Sequence, residues 1–231
     1  MKTLLQRSFD DLSWIFYPKL CAACTRPLYA GEECICTICR FHLPRTQFHL
    51  QRENAVEKHF WGKVPLKAAT AYYYFSKGEK VQRLIHGLKY KGRQDIGEFV
   101  GRLMGVELRD SPFSENELII PVPLHESKLK IRGYNQSDCF AEGLSQGMNV
   151  AFSSTALQRK KQTDTQTRKH RFERFRNVEN VFEVKAPSLL ENKHILLVDD
   201  VVTTGSTLIA CAETLLRVPG VRLSFAAMAC A

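Results

Sequence analysis

An α/β fold on a parallel sheet, preceded by a small cysteine-rich module, is the architecture the sequence predicts. Three observations carry that expectation. From Lys67 onward short apolar runs alternate with amphipathic ones, and strands alternating with helices give βαβ units and a parallel sheet. At 194–200 the run HILLVDD sets four apolar residues ahead of two acids, the pattern of a buried strand that delivers polar groups at its C-terminal edge. Five of the eight cysteines lie between Cys21 and Cys39. With 231 residues, 44% of them hydrophobic, the chain can bury a full core, and one main domain plus an appendage is expected, divided as 1–60 and 61–231.

The elements follow in order. Residues 1–60 are rich in Cys, His and Arg, lack sustained periodicity and carry turn residues around Pro27, Gly31 and Pro44. AATAYYYFS reads as a strand. EKVQRLIHGLKY puts Val81, Leu84, Ile85 and Leu88 on one helical face. Gly92 stops that helix, and DIGEFVGRLMGVEL begins another with Asp95 as its cap. ELIIPVPL is a buried strand closed by prolines, and the segment after it reads as a loop offering His125, Lys128, Lys130, Arg132 and Asn135. SDCFAEGLSQGM and STLIACAETLLR suit helices, and VRLSFAAMACA supplies a closing strand. The polar stretch from Gln158 to Asn177 is too long for a plain connection and marks a functional lid or a partly disordered segment.

Cys21-x2-Cys24 and Cys36-x2-Cys39 are two knuckles, and four thiolates close a tetrahedral site with no open position, which predicts a structural Zn2+. Cys34 is an alternative to Cys36, and His42 is a reserve donor. Cys139, Cys211 and Cys230 lie in apolar or helical contexts, as core residues do.

The opening MKTLLQRSFDDLSWIFYPKLC is interrupted by Asp10 and Asp11 and shows no small-residue cleavage site, and no later stretch suits a membrane span. A cytoplasmic protein with no membrane span is the expectation, which favours metal over disulfides for the clustered cysteines. The net charge of +9 is uneven: Gln158 to Arg176 holds eight Lys or Arg against Asp164 and Glu173. Such a segment attracts phosphates, of a small substrate or of a nucleic acid.

The stretch HILLVDDVVTTGST carries the chemistry. Asp199 and Asp200 end the strand, and Thr203, Thr204, Gly205, Ser206 and Thr207 supply hydroxyls and successive amides at a helix start, the parts of an anion cradle. The acids can accept from two ribose hydroxyls while the turn wraps a 5-phosphate, with Gly205 keeping the backbone open to the anion. No GxxxxGK[ST] is present, which disfavours an NTPase phosphate loop. The cations and amides from His125 to Asn135 suit a pyrophosphate leaving group.

The acid pair and its Thr/Gly-rich turn resemble the phosphoribosyl pyrophosphate (PRPP) signature of type I phosphoribosyltransferases. More closely, PVPLHxxKLxxRGYNQ, LKYKG at Leu88 to Gly92, and RxKxTxxQT followed by RxxNV between Arg159 and Val178 resemble the ComF family, from about Phe16 to the C-terminus. That resemblance implies a type I phosphoribosyltransferase fold with a hood, an N-terminal zinc finger, an amidophosphoribosyltransferase-like activity in some members, and a link to DNA uptake in natural competence. It places Gly133 and Tyr134 with His125, Lys128, Arg132 and Asn135 in the pyrophosphate loop. It also places Arg159, Lys161, Thr163, Gln166, Thr167, Arg174 and Asn177 on a flexible loop that closes over the ligand. Lys169 departs from the family pattern, which has an apolar residue there.

Three functions compete on this sequence. The first is a transferase acting on PRPP with Mg2+. The second is a nucleic-acid-handling protein, with Phe172 and Phe175 interleaved among cations to take single-stranded DNA, and competence-machinery proteins as further partners. The third is a non-catalytic PRPP sensor. The acceptor is not encoded in any motif.

Overall fold

Residues 18–160 and 181–231 are described by the computed structural model of the chain. The first knuckle turns back on itself: Leu20 bridges Pro27, and the Thr25 amide donates to the Cys21 carbonyl at 2.8 Å. Helix α1 (Thr37–His42) is capped by the Cys36 side chain, which accepts from the Cys39 amide. Asn54 caps the short α2 (Ala55–Lys58) by accepting from the Val56 and Glu57 amides. Its own amide nitrogen donates to the Ala69 carbonyl at 2.8 Å, which ties this segment to β1 (Ala69–Tyr74).

Helix α3 (Lys80–Tyr90) buries Val81, Leu84, Ile85 and Leu88, the face its periodicity predicts. Helix α4 (Gln94–Leu108) begins differently from expectation. Its N-cap is Arg93, which makes no side-chain cap bond, and Asp95 lies inside the first turn with both oxygens held by the Arg93 guanidinium at 2.8 and 2.7 Å. A guanidinium fork matches both carboxylate oxygens at once, so it outcompetes the backbone amides for Asp95.

After β2 (Leu118–Pro121) the segment read as a loop contains a helix, α5 (Glu126–Arg132). Periodicity could not reveal it because none of its residues is buried. It is defined by its ends: His125 Nδ1 accepts from the Ser127 amide, and Gly133, at φ +79°, donates its amide to the Leu129 carbonyl at 2.8 Å. Helix α6 (Gln136–Met148) follows. Strands β3 (Leu157–Arg159) and β4 (Phe182–Val184) pair antiparallel. Then come β5 (His194–Val202), α7 (Ser206–Leu215) and β6 (Arg222–Cys230).

The main sheet has the order β1-β6-β5-β2, and every pairing in it is parallel. The closing strand therefore lies inside the sheet. β6 runs between β1 and β5, and everything in it from Leu223 to Cys230 is buried, the continuous apolar character of a parallel strand covered on both faces. Alternation along β5 sends Leu196 and Val198 toward α4 and α6, and Ile195 and Leu197 toward α7 and the Phe48–Val64 segment. The result is a sheet with helices on both sides. Cys21 to Leu43 share the first of these cores with α3 and α4, so the cysteine module shares its apolar contacts with the main body.

Helices α4 and α6 approach unusually closely. Gly97 of α4 lies against Cys139 and Phe140 of α6, Gly101 and Gly105 lie against Gly143 and Gly147, and a Cβ on Gly105 would lie 2.8 Å from the Gly147 Cα. Small residues at i, i+4 and i+8 share one helical face, and their spacing lets the two backbones touch. This contact fixes α6, whose N-terminus supplies part of the site.

Candidate phosphate-sugar site and metal centre

The site forms where the sheet changes direction. From β2 the chain passes through α6 and returns at Phe152, which bridges Ile119 in parallel on the outer side. From β5 it crosses by α7 to β6, on the other side. Neighbouring strands whose connections depart in opposite directions leave a crevice at their carboxyl ends, the place where open α/β sheets bind ligands. Here the crevice is a cleft of about 160 Å3 lined by residues that include Lys89, His125, Lys128, Arg132, Ser137, Arg159, Asp199, Asp200 and Thr207.

The two acids have different surroundings. Asp199 Oδ1 accepts from Ser137 Oγ at 2.9 Å and from the Asp200 amide at 2.8 Å. Burial and then the Asp200 charge push the Asp199 carboxyl up to about 7, against those two hydrogen bonds and the Lys89 charge. Asp200 instead pairs with an ammonium, Oδ2 lying 2.9 Å from Lys89 Nζ. Neither Lys89 nor Ser137 was singled out as a site residue from sequence. LKYKG is the one available signal for Lys89; Ser137 has none beyond following Asn135 and Gln136.

The turn after β5 is exposed at Thr203, Thr204, Ser206 and Thr207, and Thr207 reaches the cleft. Gly205, at φ +72°, is the N-cap of α7. A side chain there would be strained by the left-handed backbone and would press on the Phe60 ring at 3.3 Å. Thr204 Oγ1 and Ser206 Oγ lie 2.9 Å apart, so two hydroxyls and the first amides of α7 are presented together.

Lys128 and Arg132 of α5 also line the cleft. Because His125 Nδ1 accepts an amide, its neutral ring carries the proton on Nε2. Asn135 also lines the cleft, but its Nδ2 already donates to the Val122 carbonyl at 3.0 Å and to Asp138 at 2.7 Å. Lys130 is exposed on α5 and is not among the lining residues. Gly133 ends that helix, and the Tyr134 hydroxyl donates to the Leu88 carbonyl, which fastens this segment to α3. Of the flexible-loop residues, Arg159 is on β3 at the cleft; Lys161, Thr163, Gln166, Thr167, Arg174 and Asn177 lie outside the described residues, as do Phe172 and Phe175.

The cysteines resolve into a centre and a bystander. Ligand atoms of Cys21, Cys24, Cys36 and Cys39 all lie within 4.8 Å of one another, and the Cys24 and Cys36 sulfurs are 3.8 Å apart. Tetrahedral coordination with metal–sulfur bonds of about 2.3 Å spaces the sulfurs about 3.8 Å apart, so the donor set fits one ion. The Cys36 amide donates to Cys21 Sγ at 3.3 Å and the Cys39 amide to Cys36 Sγ at 3.4 Å, bonds that favour thiolates. Cys34 is buried away from them with its sulfur 4.0 Å from Arg93 Nη2, and His42 is exposed.

Known proteins bear on this geometry. The phosphoribosyl transferase domain family matches residues 137–229. DNA utilization protein YhgH of Escherichia coli K12 is 32% identical over 217 residues, 87% of this chain and 92% of that protein. The chain belongs to the ComF family. Competence protein F of Haemophilus influenzae is 33% identical over 135 residues, 56% of this chain and 59% of its own length. Among solved structures, glutamine PRPP amidotransferase from B. subtilis matches with a TM-score of 0.42 and 15% identity over 61% of this chain and 30% of that one. Adenine phosphoribosyltransferase from Leishmania tarentolae matches with a TM-score of 0.38 and 10% identity over 81% and 94%. As a ComF-family chain it has the parallel sheet and flanking helices of a phosphoribosyltransferase domain with a four-cysteine cluster ahead of it. No helix among the described residues is long and apolar enough to cross a membrane.

Proposed function

We propose that the cleft between β2 and β5 binds PRPP or a related 5-phosphoribosyl ligand together with Mg2+, and that the protein serves DNA utilization through that ligand. The carrying observation is the convergence of Asp199 and Asp200 with Lys89, Lys128, Arg132 and Arg159 in one cleft. Two acids among four cations suit a ligand that is polyhydroxylated in its middle and anionic at its ends.

In this assignment Asp199 and Asp200 accept from the ribose hydroxyls. The Thr203–Thr207 turn, at the N-terminus of α7, takes the 5-phosphate through hydroxyls and amides. His125, Lys128 and Arg132 meet the pyrophosphate. Oxygen donors of the acid pair suit Mg2+, and the Lys89 ammonium 2.9 Å from Asp200 marks a position where a cation is already favoured. When bound, Mg2+ neutralises pyrophosphate oxygens. Should transfer occur, the acids steady positive charge at the sugar while the basic wall stabilises the departing anion. Arg159 on β3 lines the cleft; the segment 161–180 that follows it in sequence lies outside the described residues and is assigned the closing role that excludes water.

The four-cysteine centre is assigned a structural Zn2+, since thiolates in a closed set of four select it. Its role is to hold the module against α3 and α4.

The test is a thermal-shift and calorimetric titration with PRPP and Mg2+, followed by pyrophosphate release with amines and nucleobases on the same sample. Binding of PRPP is expected. Turnover distinguishes a transferase from a sensor, and no response to PRPP at millimolar concentration overturns the assignment. Single-stranded DNA in a parallel titration over increasing salt tests the nucleic-acid alternative.

A further inference from the structure

Lys89 is the residue of the cleft whose contact is least explained by a binding role alone. Its Nζ points at an acid, 2.9 Å from Asp200 Oδ2, with the side chains of the pair only 22% and 12% exposed. A pair so shielded is weakly screened, and an incoming cation must compete with the ammonium for that oxygen. Asp199 is differently held, by the Ser137 hydroxyl and the Asp200 amide.

The rest of the neighbourhood makes the ammonium movable and its base fixed. Leu88 is fully buried, and its carbonyl accepts from the Tyr134 hydroxyl, so the α3 backbone behind Lys89 is anchored. The four-carbon stem beyond it is flexible, and an ammonium is a compact point charge with rotatable donors. The same cleft is lined by Lys128 and Arg132, the groups assigned to an anion. Lys89 thus has an acid to leave and a place where an anion would receive it.

We propose that Lys89 is the resident counter-cation of the acid pair, one that releases Asp200 when a ligand brings both hydroxyls or a divalent cation for the carboxylates and an anion for the ammonium. This rests on the phosphoribosyl reading for the identity of the ligand, though not for the guarding of Asp200. A free divalent cation offers the carboxylate but no anion for the displaced lysine, so it binds poorly by itself. A metal-bound sugar pyrophosphate offers both, and the exchange favours it. Lys89 is a positioning residue in this scheme, and it makes metal entry depend on the anionic ligand.

The experiment is a Mn2+ titration of the full chain without PRPP, read by the electron paramagnetic resonance of the free ion. The cysteine centre, a set of soft donors, does not suit Mn2+. Lys89→Met is expected to bind Mn2+ roughly tenfold more tightly than wild type, while its calorimetric affinity for PRPP with Mg2+ falls by roughly tenfold. Lys193→Met, at the opposite end of β5, is expected to change neither. Unchanged or weaker Mn2+ binding in Lys89→Met overturns the proposal, whatever happens to PRPP, because a merely structural lysine would lower both affinities together. If wild type fails to bind PRPP, the phosphoribosyl assignment falls, and the Mn2+ titration still decides whether Lys89 guards the acids.

Discussion

Ser137 Oγ donates to Asp199 Oδ1 at 2.9 Å, on the oxygen that also takes the Asp200 amide. The N-terminus of α6 and the end of β5 are thereby joined through one carboxyl oxygen, and that oxygen belongs to a group raised to about 7 by burial and by Asp200.

The sign of the consequence is definite. In the folded chain Asp199 keeps a proton that the unfolded chain, with an ordinary value of 3.8, has released. The folded state therefore binds more protons between those values, and stability falls as pH rises toward and through about 7. Asp199→Asn retains an acceptor for Ser137 and the Asp200 amide but has no charge to bury. Melting curves from pH 5 to 8 should show the variant gaining on wild type as pH rises, with the PRPP-induced shift gone. A variant that loses ground at pH 8 would contradict this account.

Gly143→Ala tests the helix contact behind the site. A Cβ there would overlap the carbonyl oxygen of Glu98, and a backbone atom cannot swing aside. Overpacking of this kind costs about 3 kcal/mol, which corresponds to a fall of roughly 10 °C in melting temperature for a chain of this size. Denaturant titration measures it. Because that contact fixes α6, a displaced helix also shifts Ser137 away from Asp199, and the affinity of the folded fraction for PRPP should fall as well.

Metal content separates the cysteines. Cys36→Ala is expected to lose the bound ion, whereas Cys34→Ala should keep one ion per chain with some loss of stability from the buried sulfur it removes. Elemental analysis of the purified variants reads this directly. Chelation should alter near-ultraviolet dichroism well beyond the module, since Cys21 to Leu43 share a core with Leu84, Leu88 and Phe99.

The sequence made some of these features legible and hid others for identifiable reasons. HILLVDD announced a buried strand and acids toward its carboxyl end, though the strand runs on to Val202 because Val201 and Val202 still pair with Ala229 and Cys230. The paired CxxC motifs disclosed a four-cysteine cluster able to hold a metal, but setting Cys34 apart from it needed the Ala22 amide bond to the Cys34 carbonyl at 2.9 Å and the turn that aims Cys34 toward Arg93. Helix α5 escaped notice because it buries nothing. The cap role assigned to Asp95 failed because an adjacent arginine claimed it. Lys89 and Ser137 meet the acids across 111 and 62 residues, and no local pattern encodes such encounters.

The position of β6 between β1 and β5 also dictates the timing of assembly. Ala69 pairs with Phe225 and Tyr74 with Cys230, so during synthesis β1 has only the Pro44–Thr46 segment, which bridges Tyr73, beside it until residues 222–230 have been made. Non-local pairing of this kind is slow and leaves a hydrophobic edge open to wrong partners meanwhile. The β6-facing edge of β1 therefore stays open for most of the chain's synthesis, until the last strand inserts and closes the sheet from its middle.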